Sequence, residues 1–266
     1  MPAPLITLLT DFGTRDAYVG TMKGVILGIC PSARLVDLTH EVPRQGILAG
    51  ALLLRHAVDY FCGTPIHLAI VDPGVGSARA PILVVTDRGV LVGPDNGLLV
   101  PSAESLGLRE ARRLEASRYF RGDVSRTFHG RDIFAPVAAH LAAGVPPEMF
   151  GPPLAQLHPL AIPTPRQETD RIMGEVIHVD HFGNLMTNIP AGAVAALDGP
   201  AVAELAGGRI MPLARAYADV PVGEPLALVN SWGRIEIAVR DGNAAQVFAA
   251  GSGTVVSVRI TVGSRQ

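Results

Sequence analysis

The sequence predicts an α/β protein, with an N-terminal α/β/α domain built on a mostly parallel sheet and a smaller, antiparallel, barrel-like β-rich domain after it. Three observations predict this. Short β-prone runs alternate with helix-length stretches through the first half, the order that builds a parallel sheet covered by helices. A proline-rich stretch then interrupts the pattern. Beyond it, short β-prone runs follow one another with only Gly, Asn or Asp turns between them.

Taken in order, the first strand is read over 5–9, and an acid, Asp11, follows this short apolar run almost at once. The opening residues therefore lack the basic region and long apolar stretch of a signal peptide. A helix over 17–30, a strand over 35–38, a helix over 46–60 and a strand over 66–71 complete a βαβαβ unit. Strands over 82–86 and 90–92, joined at Asp87, Arg88 and Gly89, read as a hairpin. A helix over 132–143 closes the first part. Five prolines between 152 and 165 are too many for a regular element, so the boundary is placed there, giving domains 1–165 and 166–266. In the second part, strands are expected over 175–179, 185–189, 225–229, 234–239 and 254–260.

Composition narrows the function classes. The formal charge of −2 and pI of about 6.4 leave no broad basic face for nucleic acid or an anionic membrane. No uncharged apolar run reaches the ~18 residues that span a bilayer, although mean hydropathy is +0.32. Cys30 and Cys62 stand in no zinc or disulfide spacing, so a reducing cytoplasm is expected. A small-molecule ligand is the expected partner.

In an open α/β sheet, ligands bind at the carboxyl ends of the strands, where helix N-termini point outward. Strand one ends in Asp11 and strand three in Asp72, which is followed by a Gly-rich loop to Arg79. A lone aspartate there commonly caps a helix or shapes a turn; two acids at neighbouring strand ends point to a ligand. Asp95 and Asn96 lie in a turn after the hairpin. His129, between Phe128 and Gly130, is a loop histidine with charged residues close by, a candidate proton handler. Asp37, His40 and Glu41 are as easily a turn and a helix cap as metal ligands, and no metal is expected. Gly74-Val75-Gly76 lacks the third glycine of a dinucleotide fingerprint, Lys23 is the sole lysine and follows no phosphate loop, and there is no nucleophile elbow.

Read together, Thr10-Asp11-Phe12-Gly13-Thr14, Asp37-Leu38-Thr39-His40, Asp72-Pro73-Gly74-Val75-Gly76-Ser77 with Arg79, Gly93-Pro94-Asp95-Asn96-Gly97, Phe128-His129-Gly130-Arg131-Asp132, Asp180-His181-Phe182-Gly183-Asn184 and Asn230-Ser231 resemble one family nearly end to end. That family is the SAM hydroxide adenosyltransferases, related to the fluorinase and chlorinase. The resemblance implies hydrolysis of S-adenosyl-L-methionine (SAM) to adenosine and methionine, with SAM as substrate, no cofactor, and a homotrimer with sites at subunit interfaces. It implies that Asp11 holds the ribose hydroxyls and that Asp72, Arg79 and His129 handle the attacking water. Asp95, Asn96 and Phe128 belong to the same substrate site. Asp180, Phe182 and Asn184 fall at the methionine end, Ser231 at its carboxylate, and Asn243 and Ala244 at the adenine. The halogenases carry an aromatic residue where Asp72 stands, a halide-contacting serine where Gly130 stands, and a long inserted loop near the 87–89 turn. Those differences favour water over halide. A 5′-halogenase and a SAM or adenosine sensor are the alternatives.

Overall fold

A computed structural model describes residues 3–197 and 199–260. The chain forms two compact units, Met1–Ala161 and Ile162–Gln266.

The first unit runs β1 (Leu5–Thr10), α1 (Tyr18–Ile29), β2 (Arg34–Thr39), α2 (Ile47–Val58), β3 (Ile66–Ile70), β4 (Pro81–Thr86), β5 (Gly89–Pro94), α3 (Val100–Ser105), β6 (Leu108–Arg113), α4 (Ala135–Ala142) and β7 (Pro153–Leu154). Its sheet has the order β2-β1-β3-β5-β4-β6-β7. The first four strands are parallel; β4, β6 and β7 continue the sheet antiparallel. The strands β1 and β3 are buried on both faces, which is why they read as almost unbroken apolar runs. On one face α1 and α4 cover Ile6, Leu8, Leu68 and Ile70; on the other α2 and α3 cover Leu9, Ala69, Val71 and Leu91. The chain leaves β1 toward β2 on one side and returns to β3 on the other. The carboxyl ends of β1 and β3 therefore flank a topological switch point.

The expected helix over 132–143 is two elements. A π-helical turn, Gly130–Phe134, precedes α4. Pro136 lacks the N–H that the Asp132 carbonyl would meet in a continuous α-helix, and that carbonyl instead accepts from Arg121 N–H at 2.9 Å. The Asp132 carboxylate is fully buried; it accepts from Ser125 N–H at 2.9 Å and from Arg131 at 2.6 and 2.8 Å. Burial alone would raise its pKa, but these donors hold it below the usual carboxylate range.

The second unit holds β8 (Arg166–Gln167), β9 (Arg171–Val179), β10 (Leu185–Pro190), α5 (Ala191–Ala195), β11 (Ala201–Leu205), β12 (Arg209–Ala214), β13 (Pro225–Val229), β14 (Arg234–Val239), α6 (Ala244–Phe248) and β15 (Val255–Ile260). Pairing of β9 with β10 closes seven strands into a barrel in the order β10-β14-β13-β12-β11-β15-β9, with β8 added outside on β9. All pairings are antiparallel except β12 with β13. Leu185, Ile189, Ile235, Ile237, Val256 and Val258 fill its core. The antiparallel, barrel-like expectation holds. Two of its strands, β11 and β12, were not expected from the sequence.

Candidate active site

The loop leaving β3 and the turn entering α4 bring an acid, a cation and an imidazole together. Asp72 receives both Nε and Nη2 of Arg79, the first at 2.9 Å on Oδ1, in a bidentate fork. Nη2 also lies 2.9 Å from His129 Nδ1. The side chains of Arg79 and Asp72 are only 9% and 5% exposed, so the pair is desolvated and its geometry held. Phe134 carries the Arg79 guanidinium over its ring at 5.2 Å. Gly76 lets the β3 loop close on the neighbouring one: its φ is +77°, and a Cβ there would stand 2.5 Å from the Arg126 carbonyl oxygen.

The trio also fixes a proton. Arginine has only donors, so His129 Nδ1 must be the acceptor, and the neutral ring carries its hydrogen on Nε2. Burial, and then the adjacent Arg79 charge, push the His129 pKa down, against smaller opposing effects of Asp72 and Asp132. At neutral pH the ring is an uncharged Nε2–H donor.

Asp72 and His129 line a cavity of about 190 Å³, together with Phe12, Tyr18, Ile70, Val75, Thr127, Phe128 and Gly130. Phe12, Tyr18 and Phe128 form a ring of edge-on and tilted contacts with centroids 5.2 to 5.9 Å apart. Gly130 is the buried floor, where a Cβ would meet Phe128, Met22 and Ile70 at 3.2 to 3.4 Å. Tyr18 was missed by sequence reasoning, because an exposed aromatic at the first position of a helix carries no signal until Phe128 packs on it.

Asp11 precedes Phe12 at the same edge. Gln45 N–H donates to Asp11 Oδ2 at 2.8 Å, and Oδ1 has no hydrogen-bond partner among the described residues. Asp95 and Asn96 are not among the residues lining this cavity; Asp95 accepts from His158 N–H at 2.8 Å, and the Asn96 amide donates at 2.9 Å to the carbonyl of Val71, one residue before Asp72.

The second unit gathers its own set at the exit of β9. Asp180 accepts from the N–H groups of Phe182 (2.9 Å) and Asn184 (2.8 Å) and from the Asn184 amide at 3.0 Å. Phe182 is 71% exposed at the tip, while Asn184 is buried. Gly183, at φ +85°, lies directly against the Asn243 side chain, and its carbonyl accepts from Ala245 N–H at 2.9 Å; Ala244 is fully buried between them in sequence. Ser231 is exposed at the tip of the β13–β14 hairpin. Asn230 shapes that tip by accepting from Trp232 N–H at 3.0 Å and donating to Glu236 at 3.1 Å, and Trp232 stacks on His178, two residues before Asp180. Tyr217 donates to Glu236 at 2.6 Å; burial and this carboxylate push the phenol well above its usual pKa, so it stays a donor. Sequence reasoning missed Glu236 and Tyr217, which stand on separate elements with no shared motif. Asp180 and Glu236 have no ion-pair partner among the described residues.

Both units of the chain match known proteins. The SAM hydroxide adenosyltransferase N-terminal domain matches residues 6–151 and the C-terminal domain of that family matches 174–257. An (R)-S-adenosyl-L-methionine hydrolase of Salinispora tropica is 42% identical over 267 residues, covering 98% of this chain and 99% of the relative. A fluorinase of an Actinoplanes species is 26% identical over 301 residues, covering 97% and 99%. A crystal structure of a conserved protein from Thermotoga maritima superposes with a TM-score of 0.88 at 39% identity, covering 95% of this chain and 99% of that one.

Proposed function

The chain belongs to the SAM hydroxide adenosyltransferase family, and from that premise we propose that it hydrolyses S-adenosyl-L-methionine to adenosine and L-methionine. The observation that carries the reading is the hydrogen-bonded Asp72–Arg79–His129 trio on the wall of an aromatic cavity at the switch point. A pure binder has no need of such a trio.

In the step, a water oxygen attacks C5′ and the carbon–sulfur bond breaks. Sulfur keeps the electron pair, so methionine leaves as a neutral thioether and one proton remains to be lost. To the extent that the attacking oxygen has given up its proton and carries hydroxide character, attack on the sulfonium cancels charge, which a desolvated site favours. Positioning water in line with the breaking bond contributes up to roughly 7–11 kcal/mol in the best cases. His129 donates from Nε2 to this water and so orients it. Asp72, the acceptor among the two trio members lining the cavity, takes the water's hydrogen bond and is in place for its proton. Arg79 holds both and biases the oxygen toward hydroxide character.

Asp11 takes the ribose hydroxyls through Oδ1. Asp180, with no cation of its own, suits the α-ammonium of methionine; Phe182, Asn184 and Ser231 complete that end, and the Asn243–Ala244 backbone reads adenine. The two residue sets lie on separate compact units, which fits a homotrimer with sites at subunit interfaces; two cysteines in no disulfide or zinc spacing fit a cytoplasmic enzyme. No described helix is long and apolar enough to cross a membrane.

The test is incubation with SAM, with and without chloride, followed by chromatography. Adenosine and methionine in equal amounts are expected in both. A 5′-chlorinated nucleoside would make the protein a halogenase, and unchanged SAM a sensor.

A further inference from the structure

Behind Asp11, a chain of polar groups runs from the surface of α1, where Lys23 and Asp37 are partly exposed, to the buried end of β1. Lys23 Nζ meets Asp37 Oδ2 at 2.6 Å, and His40 Nε2 approaches Asp37 Oδ1 at 3.0 Å, obliquely to the ring N–H. On the other side of that ring, Nδ1 lies 2.9 Å from Thr10 Oγ1, and Phe12 N–H donates to the same oxygen at 3.3 Å. Thr10 is wholly buried and His40 is 5% exposed, and neither lines the cavity.

The polarity of the chain follows from its ends. A carboxylate paired with lysine has no hydrogen to give, so His40 turns Nε2–H to Asp37, and in the tautomer whose one ring hydrogen is there Nδ1 is the acceptor facing Thr10. The Thr10 hydroxyl then donates to Nδ1 and keeps a lone pair for Phe12 N–H. Burial would raise the Asp37 pKa, but the Lys23 ammonium bonded to it and the His40 ring beside it hold it below the usual range, so this end of the chain stays ionised. The loop after β2 adds three ties to the same arm: His40 carbonyl to Gly13 N–H at 2.7 Å, Thr10 carbonyl to Val42 N–H at 3.3 Å, and Gln45 N–H to Asp11 Oδ2 at 2.8 Å.

We propose that Thr10 and His40 are positioning residues that set the Asp11–Phe12 arm for nucleoside binding, with Lys23 and Asp37 fixing the orientation of the imidazole. This rests on the reading of Asp11 as the ribose acid. The main chain of Phe12 is held by the Thr10 hydroxyl, while its ring packs on Phe128 and Tyr18. An error of a few tenths of an ångström at Thr10 is therefore carried both to the carboxylate and to the aromatic wall. The Asp37-Leu38-Thr39-His40 string thus acts on the nucleoside without touching it.

The experiment compares Thr10→Val, which deletes the hydroxyl at nearly constant shape, with Thr10→Ser, which restores it, after thermal melts confirm folding. Thr10→Val raises the KM for SAM and the Kd of adenosine about tenfold with kcat within about twofold, and Thr10→Ser returns both to within about twofold of wild type. Asp11→Asn is measured alongside. In that background Thr10→Val adds less than about twofold, because its effect passes through Asp11. If Thr10→Val does not fold, His40→Gln, which keeps a donor toward Asp37 and loses the acceptor for Thr10, is read the same way. An unchanged adenosine Kd in Asp11→Asn would remove the ribose reading itself. A weakened Asp11→Asn beside an unaffected Thr10→Val, multiplying effects in the double variant, or failure of Thr10→Ser to restore binding would overturn the positioning role.

Discussion

Asp72 in the first unit and Asp180 in the second each sit just beyond the end of a strand, yet opposite kinds of donor hold them. Asp72 meets a guanidinium that in turn touches an imidazole, so its charge is compensated inside the protein. Asp180 accepts from two backbone N–H groups and an amide, and nearby Glu236 from a phenol and an amide, all of them neutral. One arrangement is electrostatically complete without a ligand and suits preorganised chemistry. The other leaves negative charge for a cationic ligand to neutralise. Breaking the two should therefore give different signatures, in turnover for the first and in affinity for the second.

The largest effect is expected at the trio. Removing His129 as a group that handles the water lowers kcat by about 10²- to 10⁴-fold in His129→Ala. In His129→Gln the side-chain amide can stand near Nε2 and still donate. If His129 orients water as a donor, steady-state kinetics give His129→Gln at least about tenfold more turnover than His129→Ala. Equal loss in both variants would instead make the ring a base. Arg79→Met should lose turnover as well as stability, since it strands the Asp72 charge at a cost of roughly 3–5 kcal/mol. Chemical denaturation of that variant checks the second half.

Acid should separate the units next. His67, fully buried on β3 with Nδ1 2.8 Å from Thr7 Oγ1, is pushed down by burial to about 4. The unfolded chain takes up this proton near pH 6.5 and the native state refuses it until about pH 4, so the contribution is complete above 6.5 and is lost as pH falls through that window. The loss amounts to about 3 kcal/mol. His178 in the second unit is also lowered by burial, but Asp180 opposes the shift. Hydrogen exchange followed from pH 7 to 4.5 should show the amides of β1 and β3 losing protection before those of β9. The reverse order would place the acid-sensitive core in the barrel.

The smallest expected effect tests the uncompensated acid. Asp180→Asn keeps an oxygen for the Phe182 and Asn184 N–H groups and breaks no ion pair but loses the bond from the Asn184 amide, so the melting temperature should fall only slightly. The KM for SAM should rise about tenfold while adenosine affinity is unchanged, as expected when a charge-assisted contact to an ammonium is lost. A weakened adenosine complex, measured by calorimetry, would move Asp180 to the nucleoside end.

Much of this molecule is legible from its residues alone. Apolar runs with turn-forming punctuation place β1, β3, β5, β10, β13 and β14, because strands buried on one or both faces must be apolar wherever they sit. The motif strings mark the strand ends where Asp11, Asp72 and Asp180 stand, and the turn before α4 that holds His129. The sequence LREARR of β6 shows no such period, since its pairing with β4 and with the short β7 carries it. Likewise β11 and β12 become strands through neighbours on the closed barrel.

Only the tertiary structure decided what the marked residues do to one another. Arg79 and His129 are 50 positions apart, and nothing local could show that a guanidinium donates to Nδ1 and so leaves Nε2 as the donor. Nor could spacing tell that Asn96 braces Val71 while His40 braces Thr10. Residue types and periodicity are properties of the chain, and they determine which segments are buried and which carry polar groups at their ends. Hydrogen-bond direction, proton location and charge compensation belong to pairs of groups brought within 3 Å or so of each other, and only the packed fold creates those pairs.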